Sequence, residues 1–227
     1  MLAGIWDNLV EVRGKYRGRQ FIREAGFWYV DIPRTSSSAL RVELGRHFGP
    51  VYGKENLIER EFSAKQVFDD HIPAVRMRRI LGARSWNELF TFTIVRNPWD
   101  RVLSFYHYLL KRDGIPAIWS FPEYVARLVE ADAKTPYFTY YGRRYGAADY
   151  ILDGNGDVLV DEIVRYEDRA TGLGKIGARL GVEGLGTLSL QGAAPKSEHY
   201  RAAYDARTME LVARRYANDV TLFGYEF

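Results

Sequence analysis

Two short stretches of this chain combine cations, hydroxyls and helix-start residues in a way that suits anion chemistry. The first, DIPRTSSSAL at 31–40, sets Arg34 before Thr35, Ser36, Ser37 and Ser38. Consecutive hydroxyl residues are poor helix or strand material, because they compete with the backbone for its hydrogen bonds. At the start of a helix the backbone N–H groups lack partners, and the helix dipole adds about half a positive charge. Hydroxyl donors and a guanidinium at that place suit a phosphate or sulfate group, although a plain serine-rich helix cap has the same composition. The second stretch is VRNPWDRVLSFY at 95–106. Asn97, Arg101 and Ser104 are spaced by four and three, so they share one helix face. Arg96, eight residues before Ser104, is placed to grip one phosphate from the other side through a forked pair of bonds. The alternative is a salt-bridged helix start, with Arg96 or Arg101 paired to Asp100.

The elements that must position these loops are legible in the apolar pattern. Residues 27–32 read as a buried strand, followed by a helix with Leu40, Leu44 and Phe48 on one face. A short helix at 74–82 closes on Gly82, and LFTFTIV at 89–95 is a second buried strand. Asn97 caps the next helix, with Pro98 in its first turn and Asp100 three residues after the cap; it runs to about Lys111 with Val102, Leu103, Tyr106, Leu109 and Leu110 as apolar face. FPEYVARLVEAD at 121–132 is a further helix. DYILDGNGDVLVDEIVRYED predicts a hairpin turning at Asn155-Gly156 and a third strand ending near Tyr166. Helices at 168–180 and 205–217 follow, separated by a glycine-rich connection at 181–198. Strand, loop and helix in alternation predict an α/β fold, a central parallel sheet flanked by helices, in one domain spanning 1–227. In such sheets ligands bind beyond the carboxyl ends of the strands, where both loops lie.

Composition narrows the class. Apolar residues make up 47%, enough for a sizeable core, and 32 Lys and Arg against 29 Asp and Glu give only a weak basic excess. The charges are interspersed and form no basic strip interleaved with aromatics, which argues against nucleic acid. With no cysteine, disulfides, thiol catalysis and cysteine-ligated zinc are excluded. Asp7, Glu11, Arg13 and Lys15 interrupt the apolar run a signal peptide needs, and no segment approaches the ~20 apolar residues of a membrane span. The expectation is a soluble, cytoplasmic protein of undetermined oligomeric state, without membrane partners. An ATP-type loop is absent: no G-x-x-x-x-G-K-[ST] occurs, and GLGKIG at 172–177 lacks its spacing and its magnesium-binding hydroxyl.

In order, DIPRTSSSAL and, some sixty residues on, VRNPWDRVLSFY resemble the two signature loops of the sulfotransferases that use 3'-phosphoadenosine 5'-phosphosulfate (PAPS). The closer likeness is to the carbohydrate branch that includes heparan sulfate 2-O-sulfotransferase, whose first loop usually reads I-P-K-T-G-x-T-S-L. HYRAAYDARTMELVARRYANDVTLFGYEF is similar to that branch's C-terminus, so the likeness touches 27–48, 68–110 and 160–227. The resemblance implies a P-loop-like domain in which Arg34, Thr35, Ser36, Ser37 and Ser38 hold the 5'-phosphosulfate, while Arg96 and Ser104 hold the 3'-phosphate. PAPS is then the co-substrate and adenosine 3',5'-bisphosphate (PAP) the product, with no metal. Arg34 would steady charge on the bridging oxygen, but it stands where the family has lysine. A planar, delocalised guanidinium does not simply replace a point charge, so the loop is rearranged to suit or turnover is slower.

Transfer to a hydroxyl needs a base, and a group near pKa 7 is best placed to serve. His71, in FDDHIPAV, matches the position of the base in the 2-O branch, with Asp69 or Asp70 to orient it; a surface histidine in an acidic turn is the alternative. His107 and His199 are reserves, and His47 is structural. No ligand cluster accompanies the DDH to make a metal site. Lys196 and Arg201, in KSEHYR before the last helix, are candidate nucleotide contacts or parts of a solvated loop. Tyr140, Tyr141, Arg143 and Arg144, in YFTYYGRRY, are suited to stacking a sugar or phenol and attracting an anionic acceptor, and tyrosine packing explains them equally well. Glu167 reads as a loop-fixing carboxylate. The function expected is sulfuryl transfer from PAPS to a hydroxyl of a glycan or small metabolite, with His71 as base. A P-loop-like nucleotide-dependent kinase is the runner-up, and a non-catalytic nucleic-acid module the third reading.

Overall fold

The computed structural model describes residues 18–49, 71–188 and 200–227. Helical residues 18–25 (α1) lead into β1 (Phe27–Val30), and α2 (Ser37–Phe48) follows the first loop. Then come α3 (Ala74–Leu81), α4 (Ala83–Asn87), β2 (Phe90–Val95) and α5 (Pro98–Lys111). The chain continues through α6 (Phe121–Glu130), α7 (Ala148–Ile151), β3 (Glu162–Arg165) and α8 (Arg169–Leu180), and ends with α9 (Ala206–Arg215) and α10 (Ala217–Phe223).

The strands form a parallel sheet of order β1-β2-β3, with Val30 opposite Thr93 and Val95 opposite Arg165. The expected α/β architecture, a parallel sheet flanked by helices, is present. All six residues of central β2 are buried, as a strand covered on both faces must be. Its rings join its neighbour's: Phe92 stacks on Tyr29 at 5.1 Å and on Phe27 at 6.1 Å. The outer strand β3 carries exposed Glu162 and Arg165, the charged dressing that keeps a sheet edge from pairing further. One hydrophobic cluster extends from Ile22 to Tyr225.

Local chemistry starts α5 and α6 where the sequence predicts, whereas α1, α4 and α7 carry no helix expectation. Asn97 accepts from the N–H of Trp99 and Asp100 at the head of α5, with Pro98 in the first turn. Ser120 and Glu123 form a reciprocal capping box on α6. The predicted hairpin shrinks to a single antiparallel bridge, Leu152 to Val158, although Gly156 turns with φ +88° as expected. The reason is tertiary: buried Asp219 accepts the N–H groups of Ala147 and Ala148, and this holds 148–151 as a helix. The helix expected at 205–217 breaks at buried Tyr216 and resumes as α10. Of the glycine-rich connection, Val182 and Leu185 are packed in the core, and 189–198 lies outside the described residues. Among the described residues no helix is long and apolar enough to cross a membrane.

Candidate anion site at the strand tips

Because β1 and β2 run parallel in register, the loops that leave them emerge side by side. The four hydroxyls of the first loop divide their work. Thr35 is fully buried and donates to the carbonyl of Ile32 at 2.8 Å, and buried Ser37 is hydrogen-bonded to the Asp31 carboxylate, so these two build the loop. Ser36 takes a left-handed backbone, φ 65°, at the start of α2 and makes no side-chain cap bond; Ser38 is exposed.

Arg34 also takes a left-handed backbone, φ 69°, and its side chain crosses to the second loop. Its Nε and Nη2 donate to Ser104 Oγ at 3.1 and 2.9 Å, and its guanidinium lies 4.6 Å from the ring centre of Tyr108. Burial, and then the nearby Arg96 charge, pull the Arg34 guanidinium below its ordinary pKa. A guanidinium desolvated in this way favours an incoming anion as its partner.

Arg96 corrects one expectation. Its fork, assigned above to a phosphate, is engaged by Asp100: Nε to Oδ2 at 2.7 Å and Nη2 to Oδ1 at 2.8 Å, with both side chains almost wholly buried. Its Nη1 donates to the Arg34 carbonyl at 3.1 Å, and the guanidinium lies 4.3 Å from the Tyr166 ring centre. The salt-bridged helix start is therefore real, and Arg96 acts on the site by holding the Arg34 backbone. Arg101, also buried, donates from Nε to the Pro33 carbonyl at 3.0 Å and from Nη1 to the Tyr145 carbonyl at 2.8 Å.

His71 reaches the same strand tip from the loop before α3, with φ 64°. Its Nδ1 sits 3.1 Å from both the carbonyl and carboxylate Oδ1 of Asp31, and its side chain is 21% exposed. A proton on Nδ1 shared with Asp31 leaves Nε2 as the basic atom. Burial raises the Asp31 carboxyl, but the charge and hydrogen bond of His71, with Arg41 and Ser37, outweigh it and hold the group below its ordinary value. The orienting carboxylate visible here is Asp31; Asp69 and Asp70 lie outside the described residues. Sequence reasoning passed over Asp31, whose signal was its place as the first residue after β1.

The remaining candidates scatter. Arg201 donates to the Phe227 carbonyl at 3.0 Å, and Lys196 and His199 lie outside the described residues. Arg143 spends Nη1 on the Tyr137 carbonyl at 2.6 Å. Tyr140 is exposed, Tyr141 sits in a single helical turn at Tyr141–Arg143, and Arg144 lines a separate cleft with Tyr145. His107 is exposed, and His47 pairs with Glu43 at 3.2 Å. Glu167 fixes loops as expected: Oε1 accepts from the Asn97 N–H at 2.8 Å and Oε2 from the Tyr225 hydroxyl at 3.0 Å. Among the described residues no group of three or more His, Asp or Glu could hold a metal ion. No family model, curated protein or solved structure matches this chain.

Proposed function

We propose that the chain is a sulfotransferase with a P-loop-like nucleotide site, moving a sulfuryl group from PAPS to a hydroxyl of a sugar or small metabolite. One observation carries the reading. Arg34 of the first loop and Ser104 in the second turn of α5, 70 residues apart, meet at the carboxyl ends of adjacent parallel strands, with Arg96 bound to the Arg34 backbone. Convergent cations and hydroxyls at that edge fit a nucleotide with phosphates at two ends. PAPS supplies the sulfuryl group, and the enzyme's work is positioning and charge stabilisation. Arg34 faces the charge that grows on the departing phosphate. Ser104 and the N-terminal amides of α2 hold phosphate oxygens, and His71, oriented by Asp31, takes the proton of the acceptor hydroxyl at Nε2.

In this arrangement Arg34 and Ser104 touch, so a nucleotide between them must displace the Arg34 guanidinium from the hydroxyl. Calorimetry tests the reading with PAP, AMP and ATP. PAP should bind in the micromolar range (roughly −8 kcal/mol), with AMP and ATP at least 100-fold weaker. Ser104→Ala and Arg34→Ala should each weaken PAP about tenfold or more, the loss of one charge-assisted contact. Arg96→Ala is the poorer probe, because it strands the buried Asp100 carboxylate. Equal affinity for AMP and PAP refutes the assignment.

A further inference from the structure

A cleft of about 540 Å³ opens between the start of α3, the 144–149 segment and the end of α9. Among the described residues three guanidiniums line it, Arg76, Arg144 and Arg215, with one carboxylate, Asp149. That carboxylate already accepts the Gly146 N–H at 2.8 Å. The Arg144 Nε is buried without a hydrogen-bond partner among the described residues, a costly state that an incoming acceptor oxygen relieves. Arg215 Nη2 reaches the carbonyls of Ala131 and Arg144 only at 3.4 Å each, long and weak contacts. The α3 helix starts at Pro73 with no side-chain cap, so its first N–H groups and dipole add to the same field. The volume suits a small molecule.

The cleft also adjoins the strand-tip site. Pro73 in its wall stands two residues beyond His71, and the carbonyl of Tyr145 in its wall is bound by Arg101, which also holds Pro33. We infer that this cleft binds the carboxylate of a small hydroxylated acid and presents its hydroxyl toward His71. As a statement about the acceptor it rests on the transferase reading; as an anion site it stands without it.

Ligand-observed NMR titrations separate the two. The probes are 4-hydroxybenzoate and D-glucuronate, each against its uncharged counterpart, 4-hydroxybenzyl alcohol and D-glucose, with PAP binding measured in parallel. At least one acid should bind tenfold or more tightly than its neutral counterpart. Arg144→Gln, and independently Arg76→Gln, should weaken that acid at least fivefold while PAP affinity stays within twofold. Two variants guard against misfolding of one, and matching thermal melts identify the folded one. Acids and neutral counterparts binding alike, or a folded variant with undiminished acid affinity, overturns the inference. If the acid binds as described and PAP does not, the anion cleft stands and the donor reading falls.

Discussion

At the scale of single residues, the charged groups near the strand tips are tuned against one another. Arg34, Ser36 and His71 are three of the five non-glycine residues with positive φ among those described, and all three border the first loop. Such backbone costs about 1–3 kcal/mol per residue and persists where surrounding structure imposes it, commonly at functional sites. The Asp31–His71 pair sets a pH dependence. The folded-state pKa of Asp31 is depressed below 3.8, so its stabilising contribution is complete above that value. It is lost as pH falls through the lower folded value. Asp31→Asn should flatten that acid limb in urea titrations taken across it. On the transferase reading the same substitution should reduce sulfuryl transfer about tenfold, because the imidazole loses the carboxylate charge beside Nδ1 but keeps the Asp31 carbonyl, while PAP affinity holds. His71→Ala should likewise keep PAP binding and lose transfer; an active His71→Ala enzyme places the base elsewhere. That a histidine in FDDHIPAV is chemically apt was legible from its type, but its partner was not, since Asp31 lies 40 residues away.

At the scale of elements, α5 is the organiser. Its first turns are buried nearly all round, with Trp99, Asp100, Arg101, Val102, Ser104 and Phe105 all buried. Of the five apolar-face residues expected, Val102 and Leu109 are buried and the rest half-exposed, because the opposite face is covered by the first loop through Arg101 and Arg34. Arg101 ties that loop to the 145 carbonyl with one rigid fork. Arg101→Met should therefore loosen both segments, lowering stability by roughly 2–4 kcal/mol from stranded carbonyls. It should also weaken PAP about tenfold. Arg101→Lys should rescue neither, since one ammonium cannot span two carbonyls in fixed geometry. Faster amide exchange at 34–36 and 146–148 is the accompanying signature, and unchanged PAP affinity in Arg101→Met removes the coupling role.

At the scale of the whole molecule, the last segment locks the strand-tip loops in place. Asn97 donates to the Glu226 carbonyl, Trp99 to that of Met209, and the Tyr204 hydroxyl to that of Trp99, all between 2.7 and 2.9 Å. Asp219 holds the start of α7, and Gly146 leaves room for it: a Cβ there would lie 2.5 Å from Oδ1. Burial raises the Asp219 carboxyl despite Arg101 and its two N–H donors, so its charge costs stability as pH rises, opposite in sign to Asp31. Asp219→Ala should nonetheless destabilise by roughly 2–4 kcal/mol in urea unfolding, because two backbone N–H groups lose their acceptor. A neutral result would show that 148–151 holds its helix unaided. The sequence by itself determined the three strands, the starts of α5 and α6 and the two hydroxyl- and arginine-bearing loops, because apolar period and capping are decided within a turn or two of chain. Tertiary structure alone decided that the hairpin gives way to a helix, that Arg96 closes on Asp100 while Arg34 takes Ser104, and that His71 answers to Asp31. Burial penalises every unpaired charge, and only folding determines which groups are near enough to relieve it.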